Sequence, residues 1–160
     1  MDPDAPSVQA AIRQQKPFAS RHQEGVVALL LASEVVRWRI AEVLAGQGEL
    51  TLQQYNVLRI LRGAGPKGLP TLAIVERMIE RTPGITRLID RLETKGLVTR
   101  VRCDEDRRQV LCAITGQGLA ELARLDPAMD ELDETSLGGL SASEVATLIR
   151  LLNRVRIHRA

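Results

Sequence analysis

Residues 82–102 read TPGITRLIDRLETKGLVTRVR, and the fold turns on this stretch. Thr82 can cap orphan backbone N–H groups, and Pro83 is well tolerated at a first helical position. The spacing predicts a helix over about 82–95 with Ile85, Leu88, Ile89 and Leu92 turned inward. Thr86, Arg87, Asp90 and Arg91 fall on the other side, and Gly96 closes the helix. Two short β-prone runs follow, 97–102 and 109–114, joined by the charged tip CDEDRR at 103–108. Together they predict a hairpin of the size of a wing. A simple register pairs Arg102 with Gln109 and sets Thr99 opposite Cys112.

Upstream, Thr51 and Gln54 form a T-x-x-Q cap before Tyr55, Leu58 and Leu61, and this helix stops near Gly63-Ala64-Gly65-Pro66. A short helix after Pro70 carries Leu72, Val75 and Met78. Before these, a long helix from Glu24 to about Ala45 shows apolar residues on more than one stripe, and Gly46 and Gly48 end it. Three prolines mark residues 1–23 as an arm. Downstream, Thr115 leads into a helix with Leu119, Leu122 and Leu125, expected to break near Pro127. Gly138-Gly139 makes a loop, and the capping box Ser141-x-x-Glu144 opens a final helix. Val145, Leu148, Leu152 and Val155 sit on it at heptad-like spacing. The expected division is an arm at 1–23, a long helix at 24–48, a module at 49–115 and C-terminal helices at 116–160.

Composition narrows the function. Of 160 residues, 44% are hydrophobic and 26% charged, a globular balance that excludes wholesale disorder. Aromatics are 2%, so the core is aliphatic and base-stacking RNA platforms are excluded. Residues 51–118 carry twelve Lys/Arg against seven Asp/Glu, a net +5, while the segments before and after carry −1 and −2. A basic centre with mildly acidic ends points to an anionic partner for the central segment. The longest apolar run, 26–32, is far short of a membrane span, and MDPDAPSV lacks the pattern of a signal peptide. A cytoplasmic protein is expected. His22 and His158 have no ligand cluster near them at metal spacing, so neither metal nor cofactor is expected. There is no Gly-rich phosphate loop, no G-x-S-x-G elbow and no Cys–His pair, which argues against an enzyme.

Three helices and a hairpin inside a basic segment describe a winged helix-turn-helix. The runs LTLQQYNVLRIL (50–61), TPGITRLIDRLETKGLVTR (82–100) and DEDRRQVLCAITGQG (104–118) resemble the MarR family of bacterial transcription regulators. The most specific part is T-R-L-I-D-R-L-E-x-K-G-L-V ahead of a D-x-R wing at Asp106, Arg107 and Arg108. The resemblance implies a mainly α fold with a small β wing: a DNA-binding module flanked by N- and C-terminal dimerisation helices. It implies a homodimer on a pseudo-palindromic double-stranded operator, acting as an effector-responsive repressor. In this chain Ile79-Glu80-Arg81 stands where many members have Gly-Leu-Ser, and the recognition helix opens on Thr-Pro-Gly, whose last two residues bring no side-chain donor to a base edge.

On that resemblance the DNA-contacting set is Thr82, Gly84, Thr86, Arg87, Arg91, Lys95, Arg100, Arg102, Arg107 and Arg108. Thr86 and Arg87, early in the helix, suit base edges, whereas Arg91 suits a phosphate. Lys95, Arg100 and Arg102 are further phosphate candidates, and Gly84 allows close backbone approach. Arg108 is the expected minor-groove arginine, with Asp106 orienting the wing. Val145, Leu148, Leu152 and Val155 are expected at the dimer interface. The resemblance also suggests a small-molecule effector pocket at Arg37, Trp38 and Tyr55, although Trp38 and Tyr55 at helical spacing read more readily as ordinary core. Two alternatives remain at this point. One is a winged-helix protein–protein module without DNA binding. The other is a redox-sensing regulator using Cys103, with Cys112 read as a small core residue.

Overall fold

A computed structural model describes residues 7–48, 50–80, 83–102 and 110–157. The elements run α1 (Val8–Ala11), α2 (Arg21–Gln47), α3 (Leu52–Ala64), β1 (Leu69–Pro70), α4 (Thr71–Arg77), α5 (Ile85–Thr94), β2 (Val98–Arg102), β3 (Val110–Ile114), α6 (Gly116–Ser136) and α7 (Ala142–Ile157). The chain divides into two compact units, Ile40–Met129 and Met1–Arg39 with Asp130–Ala160.

The central unit holds the core. Leu44, Val57, Leu58, Leu61, Ile74, Ile89, Leu92, Cys112, Leu122 and Leu125 are buried in one apolar cluster, an aliphatic core as the composition demands. Thr51 opens α3 through a complete capping box with Gln54, the cap expected from T-x-x-Q. The end of α5 is locked by a Schellman arrangement. The Leu97 N–H reaches the Leu92 carbonyl at 3.0 Å and the Gly96 N–H reaches Glu93 at 2.9 Å. Gly96 supplies the positive φ (71°) this requires. Thr115 then ties the helix end to α6. Its hydroxyl donates to the Gly96 carbonyl at 2.7 Å and accepts from the Gly118 N–H at 3.0 Å. Gly118 lies so close to the Leu97 carbonyl that a side chain there would overlap it.

Several expectations are corrected. α5 begins at Ile85, not near 82, because Gly84 sits at φ +85°, outside the right-handed helical region. The sheet has three strands in the order β1-β3-β2, not two, since Leu69 pairs with Cys112 and Pro70 with Leu111. β1 is an edge strand, where a proline without an N–H is tolerated. The hairpin register is shifted by one residue. Arg102 pairs with Val110, and Arg100, not Thr99, faces Cys112. Seven residues separate Arg102 from its partner Val110, too many for the length of the connection to dictate the pairing. α6 runs unbroken through Pro127. The lost N–H costs about 3 kcal/mol, which burial of Leu122, Leu125 and Met129 along one side of the helix offsets. α2 starts at Arg21 rather than Glu24, because Ser20 caps the Gln23 N–H at 3.1 Å, and it continues through Gly46 to Gln47.

The second unit contains most of α2 and all of α7. Helix α7 buries no residue, although its Ser141–Glu144 cap is formed as expected. Val26, Leu30, Val35 and Trp38 on α2 and Ile149, Leu151, Val155 and Ile157 on α7 are all exposed. So much exposed apolar surface on helices is the mark of an interaction surface.

Candidate nucleic-acid interface

Helix α5 is divided by its own sequence. Ile89 and Leu92 are fully buried, Ile85 and Leu88 pack against the core, and Thr86, Arg87, Asp90 and Arg91 are exposed. The inward and outward sets are those expected from helical spacing. Arg87 and Arg91, one turn apart, have no ion-pair partner among the described residues. With Thr51, Gln53, Glu80, Pro83, Gly84 and Leu88 they line a shallow cavity of about 510 Å³. The Gln53 side chain donates to Glu80 at 3.3 Å, tying α3 to the turn that precedes α5. Two uncompensated guanidinium groups at helical spacing repel one another weakly, a cost that an anion lying across both would reverse.

Arg100 is placed differently. Its guanidinium donates to Asp90 at 2.5 Å and also to Glu93, so it bridges two carboxylates of α5 from β2. The hydrogen bond to Asp90, with Glu93 adding to it, raises the Arg100 pKa above its ordinary value. Arg102, at the exposed end of β2, has no ion pair among the described residues. Lys95 is half-buried at the C-cap of α5. Thr82, Asp106, Arg107 and Arg108, together with Cys103 and His158, lie outside the described residues. Cys112 is a free thiol buried in the core, with the Thr71 hydroxyl 3.9 Å away.

A match to the MarR family model spans residues 50–110, from the start of α3 to the start of β3. A solved MarR transcription factor from Planctomyces limnophilus is 42% identical, with 86% of this chain and 98% of that one covered and a TM-score of 0.64. The chain belongs to the MarR family. The transcriptional regulator HosA of Escherichia coli O157:H7 is 31% identical over 107 residues, covering 67% of this chain and 78% of the relative. A mutant of E. coli MarR, solved in complex with operator DNA, is 27% identical with a TM-score of 0.72, covering 80% of this chain and 90% of that one.

Within this MarR-family module, α4 and α5 form the helix-turn-helix and β2–β3 the base of the wing. Ile79, in the turn where many members have Gly-Leu-Ser, is exposed. Arg37 and Trp38 belong to one compact unit and Tyr55 to the other. Tyr55 is a core residue with Arg59 stacked over its ring at 5.7 Å, whereas Trp38 is 60% exposed and Arg37 pairs with Glu34. The core reading therefore holds for Tyr55 and fails for Trp38, which is exposed in the single chain. Among the described residues no cluster of His, Cys, Asp and Glu could hold a metal ion, and no helix is long and apolar enough to cross a membrane.

Sequence reasoning missed two features of this face. The first is the Arg100 bridge, for which a signal existed: Asp90 and Glu93 stand three residues apart, which puts them on one side of the helix. The second is the pairing of Gln53 with Glu80 across 27 residues, for which sequence offers no local signal.

Proposed function

We propose that this chain is a homodimeric transcriptional repressor that reads a pseudo-palindromic double-stranded operator in the cytoplasm. The observation that carries the reading is the exposed couple Arg87 and Arg91, without an ion-pair partner among the described residues and set opposite the buried face of α5. A duplex major groove admits one α-helix, and its walls are phosphates. In this reading Arg87 and Thr86 meet base edges, Gly84 allows close backbone approach, Thr82 is a further DNA-contacting residue, and Arg91, Lys95 and Arg102 anchor the backbone. Arg108, with Arg107 beside it on the wing, would be the arginine offered to the flanking minor groove, where narrow A·T tracts favour it, and Asp106 would orient the wing.

One module offers one recognition helix and few phosphate contacts. Two copies related by a twofold axis would present two helices to half-sites about 34 Å apart. The exposed apolar residues of α2 and α7, including Leu152 and Val155, support a second copy of this chain as the group that covers them. Val145 and Leu148, half-buried in the single chain, lie in the same row. A small-molecule effector would release DNA if it bound better to a dimer whose helix spacing mismatches the operator.

The test is fluorescence anisotropy with duplexes selected by the full chain from a random-sequence pool. Binding should fall linearly in log K against log salt as released counterions are taken back. Affinity that ignores salt, or no selection of any sequence, would reject the reading and favour a winged-helix module for protein partners.

A further inference from the structure

Over Ile85–Thr94 the charges of α5 cancel: Arg87 and Arg91 against Asp90 and Glu93. A helix that approaches phosphate with two carboxylates of its own has its arginines within reach of internal partners. At about 100° per residue, Asp90 lies about 60° around the helix from Arg87, three residues along, a spacing at which side chains of opposite charge pair. They do not pair here. Asp90 is turned to Arg100 Nη2 at 2.5 Å, and Glu93 is held by the other guanidinium nitrogen of the same residue.

Resting on the DNA-binding reading above, we infer that Arg100 is a positioning residue and not a phosphate anchor. By occupying Asp90 and Glu93 from β2 it keeps Arg87 free for DNA and fixes the rotation of α5. Three observations support this. The Arg100 side chain is mostly shielded, at 29% exposure, and both ends of its fork are engaged. β2 places it on the same face as the buried Val98, the face packed against α5. The Schellman lock at Gly96–Leu97 and the Thr115 hydroxyl hold the start of β2 against the end of α5. The bridge therefore spans two elements whose separation is fixed at one end.

The test is a double-mutant cycle in the full-length chain, titrated against the duplex it selects over a range of KCl concentrations. Arg100→Gln releases Asp90 to capture Arg87 and should weaken binding about tenfold or more. Asp90→Asn alone should change it less than about threefold. The double variant Arg100→Gln with Asp90→Asn should recover to within about threefold of the wild-type chain, with the wild-type salt slope. Additive effects, or a slope in the double variant lower by about one contact, would overturn the inference and restore Arg100 as an anchor. Should Arg100→Gln not fold, Arg100→Lys keeps one of the two pairings and serves in the same cycle, with a smaller but still coupled effect. Arg87→Ala is run alongside. If it leaves binding unchanged, the DNA-binding reading fails and takes this inference with it. If it weakens binding while the cycle is additive, the inference alone fails.

Discussion

Replacing Leu152 and Val155 together by aspartate separates folding from association. In the single chain these side chains are 38% and 61% exposed, and no residue of α7 is fully buried. Their covered parts contribute about 0.9–1.9 kcal/mol at Leu152 and about 0.6–1.2 at Val155, which bounds the loss of monomer stability. A dimer that covers α7 adds a second, larger cost that falls on association. Full burial of a Leu or Val contributes about 1.5–3 kcal/mol, so covering the exposed remainder contributes about 0.6–1.1 at Leu152 and about 0.9–1.8 at Val155. A twofold interface counts each site twice, which gives about 3–6 kcal/mol before any carboxylate is desolvated. The dimer Kd should therefore rise at least about a hundredfold, and buried unpaired charge adds several kcal/mol more. Sedimentation velocity across a concentration series reads the dimer directly, and circular dichroism checks that the helices persist. A variant that stays dimeric at the concentrations where the wild-type chain does would refute the placement of the interface on α7. Loss of helix in the variant would refute the claim that the monomer tolerates these substitutions.

Four further outcomes are expected. Arg87→Ala should cost roughly 1–3 kcal/mol on the selected duplex and relax preference at one position per half-site, whereas Arg91→Ala should weaken all duplexes alike and lower the salt slope by about one; identical profiles would contradict the division between reading and anchoring. Gly118→Ala should lower the thermal midpoint by an amount corresponding to about 1–3 kcal/mol, because its methyl meets the Leu97 carbonyl and the wing base must shift; an unchanged midpoint refutes the close approach. Glu144, hydrogen-bonded by the Ser141 backbone N–H and hydroxyl, should titrate below its ordinary value of 4.5. Its contribution to the start of α7 is thus present above 4.5 and lost as pH falls through the lower folded value, and a carboxyl NMR titration with a midpoint at or above 4.5 would contradict the cap. Cys112 should resist alkylation in the native chain and react on unfolding, as peptide mapping would reveal, and rapid native labelling would reopen a redox role for it.

Much of the architecture is legible along the chain, because each helix carries its own period and punctuation. The face of α5 that turns inward follows from Ile85, Leu88, Ile89 and Leu92 alone, and the caps at Thr51 and Ser141 are local hydrogen bonds between residues three apart. Boundaries were harder where a backbone angle decides them. Nothing in the letters TPG says that Gly84 adopts φ +85° and delays the helix to Ile85, since proline and threonine both suit a start. Pro127 misled for the opposite reason. Its local cost is real, but burial of Leu122, Leu125 and Met129 around it outweighs it.

Sequence alone determined the family pattern, the basic centre and the outward arginines of α5, all of which depend on residues within a few positions of one another. Only the tertiary structure decided which of those arginines are available. Arg87 and Arg91 are left unpaired among the described residues, while Arg100, a further phosphate candidate by sequence, is committed to Asp90 and Glu93. That commitment depends on strand register, which sets Arg100 opposite Cys112, and on the packing of β2 against α5. Register shifts by one residue would turn the side chain to the other face. Side-chain charge is a property of the residue; whether it is spent inside the protein is a property of the contacts that only folding creates.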